Sequence, residues 1–265
     1  MKDDPLENNL YLARICHLSG MPEETIKYIE EIIKLKNGCI SEEERNLLFS
    51  SLKSLINTRR DSWRTVNALE SKEKKNQSVL LPRVSELKQC LATEIKQYIN
   101  KGIELIDNSL LKSANNDELK VMYAKIKGDY MRYIYDITPK DKEEEINTFR
   151  DKADENYKIG LNICESLSNL SIIKVGLILN YSVFLYEVIK DYKTAYILLN
   201  NTYQATMKNI SDNNYDAALI KDLNKLLDIF KENISKWAET IVPENIENIA
   251  SDIQPENIEA SGSPS

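Results

Sequence analysis

Three features of the 265-residue sequence predict an all-α fold: a bundle of about nine antiparallel helices followed by a disordered tail. Glycine and proline are scarce, at 7 each, too few for a chain built on β-hairpins and loops, whose turns need both. Apolar residues recur three and four apart along nearly the whole chain, which places them on one face of a helix. Short polar turns separate these stretches, and short connections make neighbouring helices antiparallel, in an up-and-down or solenoid-like stack.

The first helix covers residues 5–18, with Leu6, Leu10, Tyr11, Ile15 and Leu18 as its apolar positions. Ser19-Gly20-Met21-Pro22 ends it. Pro22 with Glu23 and Glu24 opens the second helix, because proline suits a first turn and carboxylates suit the positive end of the helix dipole. That helix runs to Lys36 and stops at Asn37-Gly38. Ser41 and Glu44 have the spacing of a capping box and start a third helix, which continues as a long polar extension to about Asn76. Residues 78–109 form the fourth, with Val84, Leu87, Leu91, Ile95, Tyr98 and Ile99 at core spacing and Pro82 tolerated in the first turn.

After the turn at 113–116, the fifth helix spans 117–137 and Thr138-Pro139 closes it. The sixth runs from Glu143 to Cys164 and the seventh from Ser171 to Lys190. Asp191 separates that from an eighth at about 192–209, and Ser211-Asp212-Asn213-Asn214 precedes a ninth that ends at Trp237. The helices differ in length and share no period, so a regular repeat array is disfavoured. Beyond Trp237 the chain carries Pro243, Pro255 and Pro264 and too few apolar residues to fold. The folded domain is therefore placed at 1–240 and a flexible tail at 241–265.

A net charge of −7 and a pI near 5.1 exclude a nucleic-acid binder that works with its whole surface. A local basic patch on such a chain would select one kind of anionic group. Cys16, Cys39, Cys90 and Cys164 lie far apart with no Cys-x-x-Cys pair, which fits reduced thiols in a cytoplasmic protein. The polar start Met1-Lys2-Asp3-Asp4 lacks an apolar signal region. No run is expected to span a bilayer. His17 is the one histidine and reads as an ordinary surface or interface residue. No catalytic triad, glycine-rich phosphate loop, metal spacing or cofactor motif is present, so the chain is not read as an enzyme.

The polar stripes are more informative. Lys53, Asn57, Arg60 and Arg64 fall on one side of the third helix, with Lys53 and Arg60 about 10 Å apart along its axis. Such a row of donors could hold a phosphate or could be a solvated basic face, and the stripe by itself leaves both open. On the fifth helix Lys125, Asp129, Arg132 and Asp136 alternate in sign at helical spacing, either as a surface ladder of small energetic worth or as acids holding an arginine for a ligand. On the seventh, Gly176, Asn180, Val183 and Glu187 share one side of an apolar helix. On the ninth, Leu219, Leu223, Leu227, Phe230 and Ile234 make one apolar face, and Leu226, Ile229 and Asn233 make a second that extends towards Trp237. Two such faces suggest a core side and a groove side.

Taken together these residues resemble the 14-3-3 family. Arg45-Asn46-Leu47-Leu48 with Arg59-Arg60-Asp61-Ser62-Trp63-Arg64 is similar to its first signature. Lys127-Gly128-Asp129-Tyr130-Met131-Arg132-Tyr133 resembles its Lys-Gly-Asp-Tyr-Tyr-Arg-Tyr block. Gly176 to Glu187 resembles its Gly-Leu-Ala-Leu-Asn-Phe-Ser-Val-Phe-Tyr-Tyr-Glu block, and Asn233 stands four residues before Trp237 as in the family's last helix. The resemblance covers roughly residues 5–240. It implies a nine-helix cup that binds phosphoserine or phosphothreonine peptides of client proteins in an amphipathic groove, as a non-catalytic adaptor. By motif position Lys53, Arg60, Arg132 and Tyr133 would hold the phosphate, and Asn180 and Asn233 the peptide backbone. Leu179, Val183, Leu226 and Ile229 would line the apolar wall, with Glu187 and Trp237 at its far end.

The chain also departs from the family. Phe49, Leu52 and Ser54 differ within the first signature, and the second signature survives only as Leu226 to Asn233. Where the family dimer exchanges salt bridges, Leu18 replaces an arginine and Cys90 a lysine, which leaves Glu94 without that partner. The resemblance implies a homodimer, and these changes imply a weakened or altered one, with a monomer left open. Ser62 aligns with a serine whose phosphorylation in the family opposes dimerisation. Ser263 or Ser261, if phosphorylated, would let the tail fold back into its own groove, since ten extended residues reach about 33 Å. The alternative from another class is a helical scaffold like tetratricopeptide-repeat proteins, binding unmodified peptides.

Overall fold

The computed structural model describes residues 4–212 and 216–240, with side chains left aside at 212, 239 and 240. Ser261 and Ser263, and the tail that carries them, lie outside the described residues. Among those described there are nine α-helices and no strand: α1 Pro5–Leu18, α2 Pro22–Leu35, α3 Glu42–Lys75, α4 Leu81–Leu105, α5 Asp117–Ile137, α6 Glu143–Cys164, α7 Ile172–Phe184, α8 Tyr192–Asp212 and α9 Ala217–Thr240. The all-α fold predicted from the sequence is observed. The chain divides into two compact units, Met1–Ile163 and Cys164–Ser265.

In the first unit the helix starts follow from local chemistry. Ser41 Oγ accepts from the Glu44 amide at 3.3 Å and a Glu44 carboxylate oxygen accepts from the Ser41 amide at 2.7 Å, so the capping box is closed. Glu44 is 2% exposed, and its other oxygen accepts from Lys36 Nζ at 2.6 Å. Burial acts to raise the pKa of Glu44, but Lys36 and Ser41 outweigh it and hold the carboxyl below its usual range. Each of the first three helices ends in a left-handed residue with paired i−5 and i−3 backbone bonds. At the end of α2, for instance, the Gly38 amide donates to the Ile33 carbonyl and the Asn37 amide to that of Lys34. A Cβ at Gly38 would stand 2.5 Å from the Ser109 carbonyl oxygen, so only glycine fits there.

One core joins α1, α2 and the first half of α3 through Ala13, Ile29, Ile32, Leu48 and Leu52, and it reaches Tyr123 on α5. A second joins α3, α4 and α5 through Ile56, Ile95, Ile99, Tyr130 and Ile134. The fourth helix, expected to be unbroken to 109, instead finishes as one π-turn, Ile106–Leu110. The four cysteines are free thiols.

The second unit packs α7, α8 and α9 on one another. Its central helix corrects the expectation that no apolar run is long enough to cross a bilayer: Ile172–Ile189 has a mean hydropathy of 1.7 over 18 residues. Val175, Leu177, Ile178, Tyr181 and Phe184 are buried within the protein, and this marks a core helix. It too ends in a π-turn, Leu185–Ile189, after which Lys190 takes a left-handed conformation. The eighth and ninth helices run slightly beyond their expected ends, to Asp212 and Thr240.

Candidate functional site

In the first unit the basic stripe of α3 divides. Lys53 and Arg64 are exposed and Asn57 is half-buried, whereas Arg60 is only 8% exposed. Arg64 bonds Asp61 on its own helix at 3.1 Å. Arg60 turns to α5, where its guanidinium carbon lies 3.6 Å from the centre of the Tyr133 ring. That is a close cation–π contact. Its Nη2 donates to a carboxylate oxygen of Asp136 at 2.9 Å. Burial lowers the pKa of Arg60 from its ordinary value, against the raising influence of Tyr133 and Asp136.

Arg132 faces the same ring, its guanidinium carbon 5.5 Å from the ring centre. Its Nη2 is 4.0 Å from Asp129, and its buried Nε has no hydrogen-bond partner among the described residues. Burial works against its charge, but Tyr157 and Asp129 among its neighbours carry the pKa above the usual arginine value. Asp129, 7% exposed, is the anchor of the group. One oxygen accepts from Tyr157 Oη at 2.6 Å and the other from Lys125 Nζ at 2.9 Å. Burial alone would raise the Asp129 pKa, but Lys125, Arg132 and the Tyr157 hydrogen bond outweigh it and hold the carboxyl below its usual range.

Gly128 makes this geometry attainable. A Cβ there would stand 2.7 Å from the Tyr157 ring, so glycine lets α6 bring Tyr157 flat against α5 with its hydroxyl on Asp129. The alternating ladder of α5 is therefore only partly a surface feature: Asp129 is buried beside Arg132, whereas Asp136 is exposed and pairs with Arg60 across to α3. Tyr157 was missed in the sequence because it stands on another helix, in no stripe with the others. The structure brings Arg60, Arg132 and Tyr133 together, and leaves Lys53 exposed two turns before Arg60 on α3.

Within the second unit, α9 buries Leu223, Leu227 and Phe230 of its expected core face, whereas Leu219 and Ile234 of that face are half-buried. Of the other face Leu226 and Asn233 are half-buried and Ile229 is 44% exposed. On α7, Leu179 is buried and Asn180 and Val183 are half-buried. Glu187 is exposed in the π-turn. Trp237 is 6% exposed, and its ring stacks on Tyr186 with centres 4.4 Å apart and planes 7° from parallel. It therefore ties α9 to the π-turn beside Glu187. Tyr186, which completes that stack, carried no signal in the sequence beyond its place in the Gly176–Glu187 block.

Of the remaining candidates, Ser62 is half-buried and its hydroxyl donates to the Thr58 carbonyl at 2.9 Å. Leu18 is 83% exposed and Cys90 is exposed. Glu94 is not left without a cation: Arg59 Nε of the same chain donates to it at 2.9 Å, and Cys90 Sγ lies 3.7 Å from its other oxygen.

Among the described residues these features define an all-helical protein in which two arginines, Arg60 and Arg132, face one tyrosine ring. The 14-3-3 protein family model matches residues 12–238. A 14-3-3 protein homolog of Trichoderma harzianum is 30% identical over 239 residues, which cover 88% of each chain. 14-3-3 protein 6 of Solanum lycopersicum is 28% identical over 88% of this chain and 90% of its own. 14-3-3 protein 2 of Entamoeba histolytica is 28% identical over 87% of this chain and 95% of its own. The chain belongs to the 14-3-3 family.

Proposed function

We propose that the chain is a non-catalytic adaptor that binds phosphoserine- or phosphothreonine-containing segments of client proteins. The observation that carries this is the convergence of two arginines on one tyrosine ring: the guanidinium carbons of Arg60 and Arg132 lie 3.6 and 5.5 Å from the centre of Tyr133. Two guanidinium forks beside a phenol suit the oxygens of a phosphoryl group, which carries about −1.5 to −2 at neutral pH. Arg60 is held by Asp136 and by the Tyr133 ring, so it has little freedom to lose when it grips a phosphate oxygen, and the unpartnered buried Nε of Arg132 leaves a donor to be satisfied. Lys53, exposed and unconstrained, adds a movable charge. Asn180 and Asn233 would hold the peptide backbone, with Leu179, Val183, Leu226 and Ile229 as apolar contacts and Glu187 and Trp237 at the far end.

Titration with matched phosphorylated and unphosphorylated peptides tests the reading. Binding should require the phosphate, and Arg60→Ala should weaken it by roughly ten- to hundredfold, the usual range for a charged hydrogen-bond donor. Equal affinity for both peptides would sink the proposal and favour a scaffold for unmodified peptides. We extend it to the tail: phosphorylated at Ser261 or Ser263, it would compete at millimolar effective concentration. A phosphorylated full chain should then bind added phosphopeptide more weakly than a chain ending at Thr240.

A further inference from the structure

The turn between α3 and α4 presents a feature that phosphopeptide binding does not use. Val79 and Leu80 are consecutive and lie at the tip of the helical hairpin, 92% and 59% exposed. The turn is fixed. The Ser78 amide donates to the Glu73 carbonyl and the Gln77 amide to that of Lys74, with Gln77 left-handed at φ 51°. This paired-bond closure ends α3 sharply. Ser78 Oγ then accepts from the Leu80 amide at 3.2 Å, and α4 begins at Leu81 with Pro82 in its first turn. Both apolar side chains are thereby held outward by hydrogen-bonded backbone.

The tip is also basic. Residues 72–83 contain Lys72, Lys74, Lys75 and Arg83 against one carboxylate, Glu73, in a chain whose net charge is −7. All four cations are exposed. The three lysines have no ion-pair partner among the described residues. Arg83 pairs only with Glu86, at 3.2 Å, on an open helix face where the pair is worth little. Lysines in a last helical turn complement the helix dipole; that role explains their charge but not two solvent-facing apolar residues beside them.

We propose that this hairpin tip docks on the headgroup layer of an anionic lipid bilayer, with Val79 and Leu80 inserting and the four cations lying among the acidic headgroups. An apolar insertion and a polybasic patch are two signals that strengthen membrane attachment when they act together. The net charge of −7 is repelled by the same surface, so attraction is confined to this basic turn.

Cosedimentation of the full chain with vesicles of phosphatidylcholine alone, or with about 30% phosphatidylserine, tests this. Binding should appear only with the anionic lipid and should fall as salt rises. Replacing Lys72, Lys74 and Lys75 by alanine should lower partition by on the order of a hundredfold, about fivefold per charge. Val79→Asp with Leu80→Asp should lower it at least about tenfold. The last variant should keep its phosphopeptide affinity, which shows that it is folded. Three results would overturn the proposal: indifference to lipid charge, vesicle binding unchanged by the tip variants, or vesicle binding lost in Arg60→Ala but not in the tip variants. So would a change in sedimentation of the Val79/Leu80 variant without lipid, because the tip would then be covered by a second copy.

Discussion

Gly128 stands where a methyl group has no room, 2.7 Å from the Tyr157 ring, and its neighbour Asp129 depends on that ring's hydroxyl. Gly128→Ala should push α6 outward and cost about 1–3 kcal/mol, as overpacking does. Thermal denaturation should show a midpoint lowered by several degrees, and phosphopeptide affinity should fall because Arg132 loses its brace. Unchanged affinity would mean that Asp129 does not aim the arginine. The lowered pKa of Asp129 also has a consequence with a definite sign. Its contribution to stability is complete above the ordinary carboxylate value near 4 and is lost as pH falls through the lower folded value, because the unfolded state then binds the proton first. Acid denaturation followed by circular dichroism should be shallower in Asp129→Asn, which has no proton to take up there. At this scale Asp129, Arg132 and Asp136 were legible in the sequence, since a single helix puts them on one stripe, and Tyr133 was legible only through the family motif that follows Arg132. Tyr157 was not, because its role depends on which helix crosses Gly128.

Elements were more legible than single contacts, and the reason lies at their ends. Ser41 with Glu44, Pro22 with its acidic neighbours, and Asn37-Gly38 each carry their own hydrogen-bond logic, so helix starts and stops could be read without tertiary information. The π-turns that finish α4 and α7 were not, because an extra residue in a turn follows from packing: Ile106 and Leu110 are buried within the α4 turn, and Leu185 within that of α7. The same limit applies to α7, whose unbroken apolarity fits a membrane span as well as a core, and only its burial against α8 and α9 decides. The cap of α3 offers a clean test, since it lies three turns before Lys53 on the same helix. Ser41→Ala removes the acceptor of the Glu44 amide and should destabilise the fold by about 1 kcal/mol, seen as a lower midpoint in chemical denaturation. Phosphopeptide affinity should stay as in the wild type; a large drop would show that α3 transmits its end to its middle.

For the whole molecule the open quantity is how copies associate. The resemblance implied a dimer weakened by the loss of an arginine at position 18 and a lysine at 90, and the structure adds a reason. Glu94, the remaining charge, is bonded to Arg59 of its own chain at 2.9 Å, and Arg14 of α1 is bonded through both forks to Glu43, at 2.6 and 2.7 Å. Those charges are satisfied internally, so a partner would have to break existing pairs to use them. Beside its exposed polar residues α1 leaves apolar ones open: Tyr11, Ile15 and Leu18 are 62%, 45% and 83% exposed. Burying a few such side chains supports association, but without charged contacts to fix register and exclude wrong partners it should be weak. Analytical ultracentrifugation at low micromolar concentration should therefore find a monomer or a readily reversible dimer. Any dimer should persist unchanged as salt is raised, because screening acts on charge pairs and not on apolar contact. Leu18→Glu should shift the equilibrium fully to monomer while leaving phosphopeptide binding per chain intact. A tight dimer that dissociates in high salt would show instead that the internal pairs of Arg59 and Arg14 open to serve a partner.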